Sequence, residues 1–399
     1  MGGTSEGGSG APLWRRMAGR DPAEPHRVAT PLELLSDLCF VVAVAQAAAT
    51  LHHALSEGHA GTGVLGYAMV FFAIWWAWMN FTWFASAYDT DDTAYRLLIF
   101  VQMAGVLVLA AGIPRALQDR DFTLVTVGYV VMRVALVLLW LRAAQGHVEG
   151  RRSALRYASG LAVVQVGWIA RLALPEQTGL AAFFVLVLAE LAVPVWAERF
   201  WSTTWHPHHI AERYGLFTII VLGESILAAT IAVQTGLERR LDAGPLLSVA
   251  LSGMVIVFAM WWLYFSRSAH LLLTSNKVAF RWGYGHYLIF SSAAAIGAGL
   301  AVSVDFHTHE AHIGSFGAGA AVAVPVAVFL ISLWLVHVRP HRPGPVVDGS
   351  YLAGVAAVLA TPFTGLPLPL IAAVMIALIV VTQHAAASVR RKSGSTAVT

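Results

Sequence analysis

Runs of about twenty apolar residues recur along this chain from Leu34 to Ala387, and they constrain its fold more than any other feature. A helix rises ~1.5 Å per residue, so a run of that length crosses the ~30 Å hydrocarbon core of a bilayer. Backbone in lipid must satisfy its own hydrogen bonds, which makes such runs helical. They fall at roughly 34–54, 63–86, 95–114, 122–143, 155–174, 179–198, 210–234, 245–266, 284–304, 313–337, 349–363 and 366–387. The expected fold is an all-α integral membrane protein of about twelve transmembrane helices. The run at 349–363 is short and ends at Thr361-Pro362, so a tilted or re-entrant course is the alternative there.

Composition agrees. The chain is 58% hydrophobic and 12% charged with a mean hydropathy of +0.68, whereas soluble domains carry about 25% charged residues. Its net charge of +3 comes from basic residues at the ends of the runs, not from a patch, so no nucleic-acid partner is expected. Cys39 is the one cysteine, which excludes an intramolecular disulfide and any cysteine-built metal cage. The first ~28 residues are rich in Gly, Ser, Pro and Arg without an apolar core, so no cleaved signal peptide is expected. Residues 1–29 and 389–399 read as disordered cytoplasmic tails.

Lys and Arg in short loops mark the cytoplasmic side. With the N-terminus inside, 19 of the 25 fall on that side, Arg115, Arg120, Arg239 and Arg240 fall outside, and Arg133 and Arg171 fall within runs. The expected location is a bacterial inner membrane with both termini cytoplasmic. Internal matches suggest a repeat. Glu33 and Glu212 open comparable helices, Trp75-Trp76 matches Trp261-Trp262, Leu98-Ile99-Phe100 matches Leu288-Ile289-Phe290, and Leu139-Trp140-Leu141 matches Leu333-Trp334-Leu335. The offsets of 179, 186, 190 and 194 rise steadily, as loop insertions would make them. Residues 30–200 and 208–388 are therefore expected to be two parallel six-helix repeats.

Ionisable residues at membrane depth are functional candidates, because each costs at least ~2.5 kcal/mol there. Glu224 lies well inside its run between Gly223 and Ser225, small residues that would let a neighbouring helix approach. Glu33, Asp37, Glu212, Gln46 and Ser225 complete the expected substrate or ion pathway. Acidic residues in a first helical turn also complement the helix dipole, which is the plain alternative for Glu33 and Glu212. Arg133 and Glu190 sit near the middle of separate runs and are expected to pair, either as a structural bridge or as a coupling switch. The aromatic-rich run from Phe71 to Tyr88 suits packing or a cavity wall. Tyr88-Asp89-Thr90-Asp91-Asp92 could hold a hard cation, or be a solvated loop that caps the next helix. His206, His208 and His209, and His307, His309 and His312 with Asp305 and Glu310, match metal-ligand spacing only weakly, so neither a metal nor a cofactor is assigned.

Two stretches carry a family likeness. Glu212-Arg213-Tyr214-Gly215-Leu216-Phe217-Thr218-Ile219-Ile220-Val221-Leu222-Gly223-Glu224-Ser225-Ile226 resembles the signature of the bacterial low temperature requirement protein A family. Glu33-Leu34-Leu35-Ser36-Asp37-Leu38-Cys39-Phe40-Val41-Val42-Ala43-Val44 is similar to that family's first-helix motif. The resemblance implies a multi-pass membrane protein and no particular reaction. The function expected on these grounds is a secondary transporter or permease, not an enzyme, using carboxylates for proton or cation coupling. Its partners would be the lipid bilayer and a small solute or cation. A cation channel is an alternative, since Ser36-Asp37 resembles part of a potassium-channel signature whose Phe and nearby Arg are absent here. A non-catalytic membrane stress-adaptation factor is the other.

Overall fold

A computed structural model describes residues 12–21, 24, 27–199, 201–239 and 243–395. Among the described residues the fold is all helical, with no strand. Twelve α-helices follow in chain order: α1 (Pro31–Ser56), α2 (Ala60–Tyr88), α3 (Thr93–Gln118), α4 (Thr123–Gly146), α5 (Arg151–Arg171), α6 (Glu176–Ala197), α7 (Pro207–Arg239), α8 (Ala243–Phe265), α9 (Asn276–His307), α10 (Ser315–Leu333), α11 (Pro345–Ala360) and α12 (Pro367–Ser395). Among the described residues, ten helical stretches are long and apolar enough to cross a membrane, and α5 is not one of them. The reason is visible in sequence. Arg151, Arg152, Arg156 and Arg171 punctuate α5. The short run at 349–363 is α11, extended by a 3₁₀ turn over Thr361–Phe363.

Local signals set several helix starts. Thr30 and Glu33 form a capping box: the Thr30 N–H donates to Glu33 Oε2 at 2.7 Å and the Glu33 N–H to Thr30 Oγ1 at 3.3 Å. Asp92 caps α3 by accepting from the Tyr95 N–H at 2.8 Å. A single π-helical turn, Trp334–Val338, follows α10 and carries His337.

The chain forms two compact units, and both α1 and α2 divide between them. The first holds residues up to Ala43 and from Trp76 to Ile210. In it α3, α4, α5 and α6 pack in succession. The α3–α4 contact is close enough that a Cβ on Gly128 would lie 2.4 Å from the Leu109 nitrogen and 2.5 Å from the Gly105 carbonyl. The second unit holds Val44–Trp75 and the chain from Ala211 onward. There α9 packs on α10, α10 on α11, α11 on α12 and α12 on α8.

Disorder over 1–29 does not describe the residues seen there. Met17 is buried, the Arg20 N–H donates to the Ala87 carbonyl at 3.0 Å, and Arg27 Nη2 donates to the Ala85 carbonyl at 2.7 Å. The arginines that read as a soluble basic tail instead cap carbonyls left over at the ends of α2 and α4. Residues 1–11, 22, 23, 25 and 26 lie outside the described residues. At the other end α12 continues as helix through Ser395, into the stretch expected as a tail, and residues 396–399 lie outside the described residues.

Candidate functional site

Glu224, on α7, lines a cavity of about 270 Å³ in the second unit. The walls come from α1 (Ala45, Ala48, Ala49), α7 (Leu227, Ile231) and α9 (Gly297, Ala298, Ala301, Val304), and they are apolar and mostly small. His52, Asp305, Thr308 and Glu310 supply its polar rim. His52 Nε2 lies 2.6 Å from Asp305 Oδ2, and the Ser56 hydroxyl donates to the same oxygen at 2.7 Å. One cavity thus holds three carboxylates and an imidazole, Glu310 from the loop after α9 and the others from helices that are otherwise hydrophobic. Such an arrangement can exchange protons, because the low-dielectric walls leave the charged groups to deal mainly with one another.

Ser225 is buried against α9, where its hydroxyl donates to the Ala293 carbonyl at 3.3 Å. It is also the residue that brings α7 and α9 together, since a Cβ on Gly297 would lie 3.2–3.3 Å from Ser225 atoms. Gly223, expected to serve that purpose, faces open space with nothing within 4 Å of a Cβ placed there. Gln46 does not join the cavity. It is exposed, and its carbonyl accepts from the Thr50 hydroxyl within α1 at 2.8 Å. Helical spacing turns Gln46 outward while Ala45, Ala48 and Ala49 face the cavity. Glu212 is half-buried at the start of α7.

Glu33 and Asp37 belong to the first unit and do not share the Glu224 cavity. Besides its capping role, Glu33 meets His209 Nε2 at 3.1 Å and Arg27 Nη2 at 4.0 Å. Asp37 is fully buried and accepts from the Trp78 indole N–H at 2.8 Å. Around them the acidic loop after α2 is neutralised by arginine. Asp89 lies 3.5 Å from Arg20 and 3.7 Å from Arg27, and Arg142 donates to the buried Asp92 at 3.0 Å. Burial, with Glu33 nearby, pushes the Asp89 carboxyl up to about 6 despite Arg27 and Arg20. In that loop arginines hold Asp89 and Asp92, Asp91 stays exposed beside Arg96, and Asp92 caps α3.

The first unit also brings Arg133 and Glu190 together, with Arg133 Nη2 3.5 Å from Glu190 Oε2. The carboxylate has better partners than the arginine. Trp76 Nε1 donates to Oε2 at 2.8 Å, while the Tyr129 hydroxyl and Trp168 Nε1 donate to Oε1 at 2.9 and 3.1 Å. Arg133 bonds the Tyr129 hydroxyl as well and lies over its ring. Sequence reasoning found the two charges and missed the three neutral donors. The aromatic-rich α2 was the available signal: Trp76 and Trp78 each spend an indole N–H on a buried carboxylate, which neither plain packing nor a cavity wall describes.

A second polar cluster escaped sequence reading. His286 and His337, both buried in the second unit, meet Nε2 to Nε2 at 3.1 Å. His286 Nδ1 sits 2.7 Å from the Trp282 carbonyl, which can only accept, so that nitrogen carries the proton. Its Nε2 then has one lone pair, which the Tyr264 hydroxyl at 3.0 Å and His337 Nε2 at 3.1 Å both face. Two histidines within long apolar runs were the signal. The histidines that follow α9 in sequence do not gather: His312 Nδ1 meets Glu57 at 3.0 Å, and Asp305 meets His52. In the first unit, His206 Nε2 lies 2.7 Å from the Glu24 carbonyl. Among the described residues, no three His, Cys, Asp or Glu side chains gather closely enough to hold a metal ion.

Long apolar helices with carboxylates inside them define a multi-pass membrane protein. Residues 28–386 match the family described as bacterial low temperature requirement A protein, and the chain belongs to that family. It is 28% identical over 356 residues to an uncharacterized protein of Rhizobium meliloti (strain 1021), covering 84% of this chain and 82% of that one. No solved structure matches it.

Proposed function

We propose that this protein is a secondary transporter or permease, not an enzyme, in which Glu224 exchanges a proton for a cation or a small cationic solute. The observation that carries this reading is the cavity itself: Glu224, His52, Asp305 and Glu310 line one small apolar-walled space. A carboxylate there binds a proton when the cavity is empty of charge and gives it up when a cation arrives, which is the elementary event of exchange. The inner-membrane location, twelve crossings and cytoplasmic termini belong to the same proposal. So does the relation of residues 30–200 to 208–388 as like halves in one orientation, which a superposition of α1–α6 on α7–α12 without inversion tests.

The functional test is reconstitution of the full chain in liposomes loaded with a pH-reporting dye, with Na⁺, K⁺ or Ca²⁺ gradients imposed across the membrane. Saturable, cation-dependent proton movement is expected. Glu224→Gln should insert and fold yet lose it, and Glu224→Asp should keep part. A wild-type protein silent with every cation, or a Gln variant with unchanged pH dependence, overturns the reading.

A further inference from the structure

A groove of about 790 Å³ runs along the seam of α4 and α5 in the first unit. Its walls are Val137, Leu141, Leu155, Ala158 and Ala162, with Val148 at its head. Leu155 and Val148 are 43% and 66% exposed, so the groove presents apolar surface outward, not to the core. At the same head stand Arg151, Arg152 and Arg156 with a single acid, Glu149. Arg156 is held in place over the Trp196 ring, 5.4 Å from its centre. Arg151 and Arg152 are exposed.

We propose that this groove binds one anionic phospholipid, its phosphate held by Arg151, Arg152 and Arg156 and an acyl chain lying along the α4–α5 seam. Two independent features agree on that occupant. The charge is complementary: three guanidiniums against one carboxylate, and guanidinium forks match phosphate oxygens in pairs. The length agrees as well, because eleven residues from Arg151 to Ala162 span about 16 Å of helix, one leaflet of a ~30 Å hydrocarbon core. A soluble anion would use the arginines and leave the apolar trough bare. A zwitterionic lipid would use the trough and gain little from a net positive head. Only an amphiphile with a net negative headgroup uses both. The site rests on that proposal only for the placement of α5 in the bilayer, since no group of the Glu224 cavity belongs to it.

The test is native mass spectrometry of the delipidated full-length protein titrated with phosphatidylglycerol or phosphatidylcholine. One phosphatidylglycerol should bind well ahead of any further copies and ahead of phosphatidylcholine. Juxtamembrane basic residues each contribute about a factor of five, so Arg151→Gln/Arg152→Gln/Arg156→Gln should weaken that first copy roughly 100-fold. Should the triple variant misfold through loss of the Arg156–Trp196 contact, Arg151→Gln/Arg152→Gln changes only exposed side chains and should still cost roughly 30-fold. Ala162→Trp fills the trough without touching charge and should also weaken binding. Arg339→Gln/Arg342→Gln removes charge elsewhere and should leave the first copy in place. Equal binding of the two lipids overturns the proposal. So does an equal loss in the Arg339/Arg342 variant, an unaffected Ala162→Trp variant, or displacement of the lipid by millimolar inorganic phosphate.

Discussion

His52 on α1 and Asp305 near the end of α9 are joined at 2.6 Å on the rim of the cavity that Glu224 lines. Asp305 also accepts from Ser56, so one carboxylate ties the end of α1 to the end of α9. Asp305→Ala should cost about 1–3 kcal/mol of stability, because it removes the acceptor of two partly buried donors. Asp305→Asn should cost less. Chemical unfolding of the purified protein in detergent checks both, and a smaller loss for Ala than for Asn would mean that the contact does not hold these helices.

Arg133→Ala should destabilise the first unit by roughly 3–5 kcal/mol, since it leaves a buried carboxylate without its cation. Replacing Arg133 and Glu190 together by apolar residues should recover only part of that loss. The reason is specific to this site: Trp76, Trp168 and Tyr129 all donate to Glu190 and would be left without an acceptor. Glu190→Gln keeps an acceptor and should be the mildest change. Full recovery in the double variant would show that the three aromatic donors find other partners.

Asp89 predicts a pH dependence with a definite sign. Its carboxyl is raised from 3.8 to about 6, by burial first and by Glu33 second. The folded state therefore binds this proton more tightly than the unfolded chain does. The stabilisation is complete below about pH 3.8 and is lost as pH rises through 6. Asp89→Asn should accordingly flatten the part of the stability profile that falls between those values. A wild-type slope that persists unchanged in the variant would assign it to another group.

Gly128 should not tolerate a side chain. A Cβ there meets the backbone of α3 at Leu109 and Gly105, neither of which can swing aside as a side-chain end could. Gly128→Ala should cost about 1–3 kcal/mol through forced separation of α3 and α4. The same substitution at Gly223, where a Cβ meets nothing within 4 Å, should have little effect. Thermal unfolding of the two variants side by side decides the matter.

Much of this protein could be read from its sequence, and the reason is the solvent. A bilayer forces every apolar run of sufficient length into a helix that satisfies its own backbone, whatever its neighbours are. Twelve helices follow from the runs alone, although the arginines of α5 leave it less apolar than the other runs. The cost of a buried ion likewise singled out Arg133, Glu190 and Glu224 from single residues, before any partner was known.

Partners were another matter, because they depend on rotation about each helix axis and on which helices meet. A rotation of one residue, about 100°, separates Ala45 on the cavity wall from Gln46 on the outside. The same geometry sends Asp305 to His52 on α1, far from it in sequence. It gathers Trp76, Tyr129 and Trp168 around Glu190 from three other helices. It also joins His286 to His337 across 51 residues. Helix formation is local and the membrane enforces it. The meeting of polar groups is long-range, set by packing over the whole chain, and only the tertiary structure decides it.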